Sequence, residues 1–239
     1  MLIKTEAIVL SKIKYRDSDL IVKCYTNIRG TVSYLLPGAL KNGKGSSKAA
    51  YFQPLSLLAL EENFRANRSL QFVKEVKLKT NYQSLYTNIP KGAIVMFLAE
   101  VLSMVLKEEE ENTSLFGFLE SAFLWLDHQQ DYSNFHLMFL LKLTKFLGFY
   151  PNDSTDIHSV FNLSTGQFEN FQHPLYGISR ENSLVLKQFL ATHFEGITSI
   201  KLNSEKRLSF LTMLLRYYEL HLDGFNSPKS LAVFNQVFH

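Results

Sequence analysis

The spacing of apolar positions changes near residue 80. Before it, apolar residues alternate with polar ones or bunch in short runs. Ile3 to Ile13 is rich in β-branched residues, and Leu20 to Tyr25 follows a polar turn, Arg16-Asp17-Ser18-Asp19. A second turn at Asn27 to Gly30 leads into Thr31 to Leu36, which Pro37-Gly38 stops. After a polar loop over residues 38–50, Leu55 to Leu60 and Leu70 to Leu78 repeat the pattern on either side of a polar segment, Glu61 to Ser69. Period-two runs bounded by turn residues predict strands. Five short strands in so little chain fit a small closed barrel, for which the OB-fold is the leading solution.

From residue 81 the period becomes helical. Asn81 can cap a short helix carrying Tyr82, Leu85 and Tyr86. Pro90 suits the first turn of a helix with Ile94, Leu98, Val101, Leu102 and Val105 inside. Asn112-Thr113-Ser114 can cap the next, with Phe116, Leu119, Phe123 and Leu126 on one face. A third starts at Asp131 to Asn134 and is apolar nearly all round through Phe149, the mark of a buried central helix. Val160 to Phe171 reads as a small hairpin around Ser164-Thr165-Gly166. Helices resume over Glu181 to His193 and Ser204 to Leu222, and a short one ends near Phe238. The expected class is α+β: an OB-fold barrel over residues 1–80 and a helical domain over 81–239. A small cysteine-free hairpin is inserted at 157–180.

Charge divides at the same place. Residues 1–80 hold 14 Lys and Arg against 6 Asp and Glu, whereas the rest of the chain holds 11 against 16. A basic block on a compact domain favours polyanionic partners. Hydrophobic residues make up 46% of the chain, with 20 Phe and 11 Tyr, enough to bury an aromatic core. The lone cysteine, Cys24, excludes an intramolecular disulfide and a thiolate zinc site. The opening residues carry charges where a secretory signal needs an apolar run. The most apolar stretch, Phe135 to Tyr150, holds Lys142 and Lys145 and falls short of the roughly 20 residues of a membrane span. The expected setting is the cytoplasm.

Two basic groups stand out. Lys41, Lys44 and Lys48 lie on a Gly-rich loop, read either as a solvated hairpin or as a DNA-phosphate clamp. Such a clamp would carry charge without base-specific geometry. Lys12, Lys14, Arg16, Lys23 and Arg29 form the second group; Tyr15, Tyr25 and Tyr34 between them read as stacking platforms or as barrel core. Gly38 to Gly45 approaches a phosphate-binding P-loop, but Gly45 stands where Ser or Thr must hold magnesium. Lys107 to Asn112 is a charge run between helices. His158 and His173 flank the hairpin without a third ligand beside them. No nucleophile–base spacing or dinucleotide fingerprint is present, so no catalytic role is expected.

The order of segments resembles the bacterial RecO family of DNA repair mediators. The likeness begins with Lys4-Thr-Glu-Ala-Ile-Val-Leu, Tyr15-Arg-Asp-Ser-Asp-Leu-Ile-Val and Thr26-Asn-Ile-Arg-Gly. It continues through Pro37-Gly38-Ala39, Gln53-Pro54-Leu55, Leu147-Gly-Phe-Tyr-Pro151 and Lys229-Ser230-Leu231, spanning nearly the whole chain. The resemblance implies an N-terminal OB-fold, a helical C-terminal domain and binding of single- and double-stranded DNA. It also implies annealing of complementary strands and loading of the recombinase onto DNA coated by single-strand-binding protein. The implied partners are RecR, often RecF, and the acidic C-terminal tail of single-strand-binding protein, in a nucleoid-associated cytoplasmic setting. Many members carry a four-cysteine zinc motif after the Leu-Gly-Tyr-x-Pro segment. Here Asp153 to Arg180 has no cysteine, so no zinc is expected, and packing of Phe161, Phe168 and Phe171 is expected to organise the hairpin instead.

An acidic tail ending in an aromatic residue needs an apolar pocket rimmed by cations. Lys201, Lys206 and Arg207 lie beside a helix on which Arg207, Leu211 and Leu214 fall near one face. Those leucines are read either as the pocket floor or as core. Two rival functions are carried forward: a single-strand-binding OB protein acting on RNA, and a nucleotide hydrolase using the Gly38 to Lys44 loop.

Overall fold

The computed structural model describes residues 1–41, 46–108, 110–153, 156 and 158–238, without the side chains of 46 and 47. The chain packs as two compact units, Met1–His128 and Gln129–His239. The last barrel strand ends at Leu78, two residues before the expected boundary at residue 80, while the division in packing falls after His128, so the two helices that follow the barrel belong with it.

In the first unit, β1 (Leu2–Tyr15), β2 (Asp19–Thr26), β3 (Gly30–Leu36), β4 (Leu57–Asn63) and β5 (Leu70–Leu78) close into a barrel. The order is β1-β2-β3-β5-β4, with β3 and β5 parallel and the other pairs antiparallel. Alternation fills the inside with Ala7, Val9, Val22, Cys24, Tyr34, Leu58 and Leu60. The Lys-rich loop is not a hairpin, because β3 and β4 do not pair. It is the crossover carrying α1 (Ser46–Ala49), and its Ala39, Ala49 and Phe52 plug the barrel core.

After the barrel this unit continues with α2 (Ile89–Val105) and α3 (Thr113–His128). Asn88 and Asn112 cap them, their side-chain oxygens accepting from Lys91 N at 3.1 Å and Leu115 N at 2.9 Å. The short helix expected at Asn81 does not form. Asp127, at the end of α3, instead gathers the backbone N–H groups of Gln83, Ser84 and Leu85 onto its carboxylate.

The second unit is built on α4 (Phe135–Phe146), buried on nearly every side as its apolar circumference requires. Around it lie the hairpin of β6 (Val160–Asn162) and β7 (Gln167–Glu169), α5 (Arg180–Leu190), a 3₁₀ turn at Phe194–Ser199, α6 (Ser204–His221) and α7 (Leu231–Phe238). Tyr217 and Tyr218 of α6 are buried and donate to Phe149 O and Leu140 O at 2.8 and 2.7 Å. Among the described residues no helix is long and apolar enough to cross a membrane.

Candidate nucleic-acid interface

The barrel carries its cations in two different ways. On the outer face of β1, β4 and β5 three of them are matched to carboxylates. Lys4 and Lys74 approach Glu61 at 3.4 and 3.7 Å, and Lys79 bridges Glu6 and Glu120 at 2.8 and 2.7 Å. At the other end, β4 pairs with β1 only from Leu2 to Ile8, so the last residues of β1 run on beside β2 alone. Lys12 and Lys14 stand opposite Val22 and Leu20 on that uncovered stretch and are exposed. The β1–β2 turn carrying Arg16 is tied to the β3–α1 crossover: Gly38 N donates to Asp19 Oδ1 and Leu40 N to Ser18 O, both at 2.8 Å. Lys41 sits beside that tie, and Lys48 on α1 of the same crossover. Lys12, Lys14, Arg16, Lys41 and Lys48 are exposed and enter no ion pair among the described residues. Lys44 and the other residues at 42–45 of the near-P-loop segment lie outside the described residues.

Two of the cations expected to meet DNA are engaged inside the fold. Lys23 donates from Nζ to Ser103 O at 2.7 Å, in the last turn of α2, where a cation meets the negative end of the helix. Burial, and then the nearby charge of Lys107, pushes its pKa down. Arg29 pairs with Glu62, whose side chain is wholly buried, and its guanidinium lies 4.3 Å from the centre of the Phe64 ring. Of the three tyrosines, Tyr34 is buried in the barrel and Tyr25 is buried and stacked on Phe116 at 6.4 Å. Burial and then Glu108 push the Tyr25 hydroxyl up to about 12. Only Tyr15 remains partly open, under the Arg16 guanidinium at 5.1 Å.

The loop between β4 and β5 adds cations within what reads in sequence as a polar spacer. Arg65 and Arg68 are exposed. The buried Gln71 holds this loop. Its Oε1 accepts from Arg65 N at 2.9 Å, and its Nε2 donates to Arg65 O at 3.0 Å and Arg68 O at 2.7 Å. The interleaving of Phe64, Arg65, Arg68 and Phe72 is the sequence signal that points to this loop.

In the second unit, Lys201 and Lys206 do come together. They rim a groove of about 440 Å³ with Arg180, over Leu184, Val185 and Leu202. Lys206 is paired with Glu181 at 2.8 Å. The expected floor needs correction: Leu211 and Leu214 are buried in the core, because their face of α6 turns toward the interior. Arg207 is half-buried and donates to Leu202 O, holding the chain at the groove's edge.

Among the described residues no group of three His, Cys, Asp or Glu could hold an ion. His173 Nδ1 accepts from Leu175 N and Tyr176 N at 3.2 and 3.3 Å, and His158 Nδ1 faces Arg180 at 3.1 Å. A lysine ammonium holds the hairpin's base. Lys187 Nζ donates to Asp156 O and Ser159 Oγ and lies 4.6 Å from the centre of the Phe168 ring. Phe161 packs on Phe168 at 5.1 Å as expected, but Phe171 is 67% exposed and takes no part.

A five-stranded barrel in this order, with a short helix between its third and fourth strands, is an OB-fold, a class that binds oligonucleotides and oligosaccharides. Family models narrow the class: the N-terminal model of recombination protein O matches residues 1–82, and its C-terminal model matches 86–232. DNA repair protein RecO of Christiangramia forsetii is 48% identical over 238 residues, and that of Flavobacterium johnsoniae is 42% identical, each match covering both chains in full. DNA repair protein RecO of Bacteroides fragilis is 36% identical, again over the full length of both. The chain belongs to the RecO family of DNA repair proteins.

Proposed function

We propose that the chain is a non-catalytic mediator of recombinational repair. It binds single- and double-stranded DNA, brings complementary strands together for annealing, and helps load the recombinase onto DNA coated by single-strand-binding protein. The observation that carries this reading is the asymmetry of the barrel. Lys4, Lys74 and Lys79 on the β1–β4–β5 face are paired with carboxylates, while Lys12, Lys14, Arg16, Lys41 and Lys48 are exposed and enter no ion pair among the described residues. Unbalanced lysines neutralise phosphates and release counterions whatever the base sequence, so two strands can be held close without self-repulsion. Arg180, Lys201 and Lys206 on the groove over Leu184 and Leu202 support docking of the acidic tail of single-strand-binding protein, which would replace Asp131 and Glu181 as the lysines' partners. RecR and RecF complete the proposed partners, in a nucleoid-associated cytoplasmic setting.

The test is a salt series. Replacing Lys12, Lys14, Lys41 and Lys48 by alanine should make the dependence of log K on log salt shallower by roughly 0.7–0.9 for each phosphate no longer neutralised. The weakening should be alike for all sequences. An unchanged slope would rule out this end of the barrel as the phosphate-binding surface.

We also propose that the chain folds without zinc, the hairpin being held by Lys187 and the Phe161–Phe168 pair. Elemental analysis of purified protein should find less than about 0.1 zinc per chain, because structural zinc sites are stoichiometric. Stoichiometric zinc would overturn this.

A further inference from the structure

A carboxylate stands at the strand end that carries the unpaired cations. Asp19 opens β2 directly opposite Tyr15, beside the turn that holds Arg16. It is half-buried and enters no ion pair among the described residues. Its Oδ1 instead accepts from the backbone N–H of Gly38 at 2.8 Å. Next to this bond Leu40 N donates to Ser18 O at 2.8 Å, and Lys41 N donates to Gly38 O at 3.1 Å. The bonds join two separate segments, the β1–β2 turn with Arg16 and the start of the crossover with Lys41. The ladder of β2 and β3 stops here, at Leu20 opposite Leu36, and the tie continues the contact beyond it. Both segments use left-handed backbone. Gly38 has φ +64°, which glycine adopts without steric penalty, and Arg16 has φ +52°, which a side chain disfavours. A non-glycine residue persists there only where its surroundings over-determine it.

We propose that Asp19 is a positioning residue: it fixes the β1–β2 turn against the crossover, so that their cations meet one polyanion together. The proposal rests on the nucleic-acid reading above and names what organises that surface. Cations on two independent loops must be ordered as phosphates bind, whereas a joined surface is ordered on folding. Once one cation holds a phosphate, its neighbours are already in reach of the next. Charge alone predicts the reverse, since a carboxylate among these cations weakens the field that a phosphate meets. The two accounts therefore differ in sign when Asp19 is removed.

Asp19→Ala and Asp19→Asn are compared with the wild-type protein on a single-stranded oligonucleotide and a duplex. Binding is measured across a salt series, well below the melting temperature of each variant. Both changes remove the charge, but only Asn keeps an oxygen for the Gly38 N–H. Asp19→Ala should bind both DNAs about fivefold more weakly at roughly 0.1 M salt, although the chain has become more positive. Its dependence of log K on log salt should be shallower by roughly 0.7–0.9, the loss of one phosphate contact. A merely structural role would leave that slope unchanged in the folded variant. Asp19→Asn should bind at least as tightly as wild type, with the wild-type slope. Asp19→Ala binding as tightly as wild type, or more tightly, would show that charge governs and would overturn the proposal. Asp19→Asn binding as weakly as Asp19→Ala would overturn it too. Should Asp19→Ala fail to fold, Asp19→Ser, whose shorter side chain draws the acceptor back from Gly38 N, is read by the same criteria. A wild-type protein that binds neither DNA would end the nucleic-acid reading itself, an outcome distinct from all of these.

Discussion

Replacing Arg29 by alanine is expected to lower the stability of the barrel by about 3–5 kcal/mol, the range for removing one partner of a buried ion pair. The reason lies in Glu62. Its side chain is fully buried within the barrel wall, beside Tyr34 and Cys24, and Arg29 is its ion-pair partner. Burial, with Glu62 nearby, pushes both the Cys24 thiol and the Tyr34 hydroxyl well above their ordinary ranges, so both stay neutral beside the carboxylate and neither can take the place of the Arg29 cation. Without the guanidinium a carboxylate remains in the low-dielectric interior, and the Phe64 ring loses the cation over its face. The melting temperature should fall by roughly 10 °C. Replacing both groups, as Arg29→Met with Glu62→Gln, should recover most of the stability, because an apolar or neutral pair carries no such penalty. Urea unfolding of the two single variants and the double variant measures this coupling directly. A single variant within about 1 kcal/mol of the parent would mean that Glu62 finds water or another donor. The same reasoning governs any weakening of DNA binding in Arg29 variants: it reports on the barrel unless stability is held constant, whereas Lys12 and Lys14 are free of that ambiguity.

Arg29 and Lys23 also show where a sequence stops being legible. Both read as surface cations, by composition and by their place in a basic block. Their partners, Glu62 and the carbonyl of Ser103, lie 33 and 80 residues away, and nothing local signals them. The five strands are legible because alternation is a local property, and so is the Asn112 cap, whose acceptor and donor are three residues apart. Leu211 and Leu214 satisfy a helical-face rule that core and binding pocket obey alike; only packing around α6 separates the two. A row of directly opposed apolar residues, Ile13, Ile21, Leu35 and Phe72, is invisible before the barrel closes. It has one residue from each of four strands, and the β3–β5 pairing that completes it is parallel and non-local. Arg68 is readable in principle, by its interleaving with Phe64 and Phe72, but only if the segment between two strands is treated as a candidate surface.

Asp127 decides the segment in which a helix is expected, and its replacement should be the second most damaging. A carboxylate in the last turn of a helix is unfavourable toward the helix dipole, so its place at the end of α3 needs another cause. That cause is the turn after β5. Asp127 Oδ2 accepts from Gln83 N at 2.8 Å, and Oδ1 accepts from Ser84 N at 2.7 Å and Leu85 N at 3.1 Å. Lys91 donates from Nζ to the Asp127 carbonyl at 2.9 Å and to Ser84 Oγ at 2.7 Å, tying the start of α2 to the same knot. Burial would raise the Asp127 pKa, but the hydrogen bonds from Gln83, Ser84 and Leu85 outweigh it and hold the carboxyl below its usual range. Asp127→Ala should cost about 3 kcal/mol at neutral pH, as the buried N–H of Leu85 and the part-buried N–H groups of Gln83 and Ser84 lose a charged acceptor. Asp127→Asn should cost nearly as much, since one amide oxygen replaces two charged ones and the amide N–H₂ faces donors. The cost should depend on pH in one direction only. A carboxyl with a depressed folded pKa stabilises fully above its unfolded value, about 3.9, and loses that contribution as pH falls through the folded value. The gap between wild type and Asp127→Ala should therefore be constant from neutral pH down to about pH 5 and narrow below about pH 4. Urea unfolding at pH 7 and at pH 3 measures it. A gap that stays the same at both would mean that Asp127 acts through packing, not through its charge.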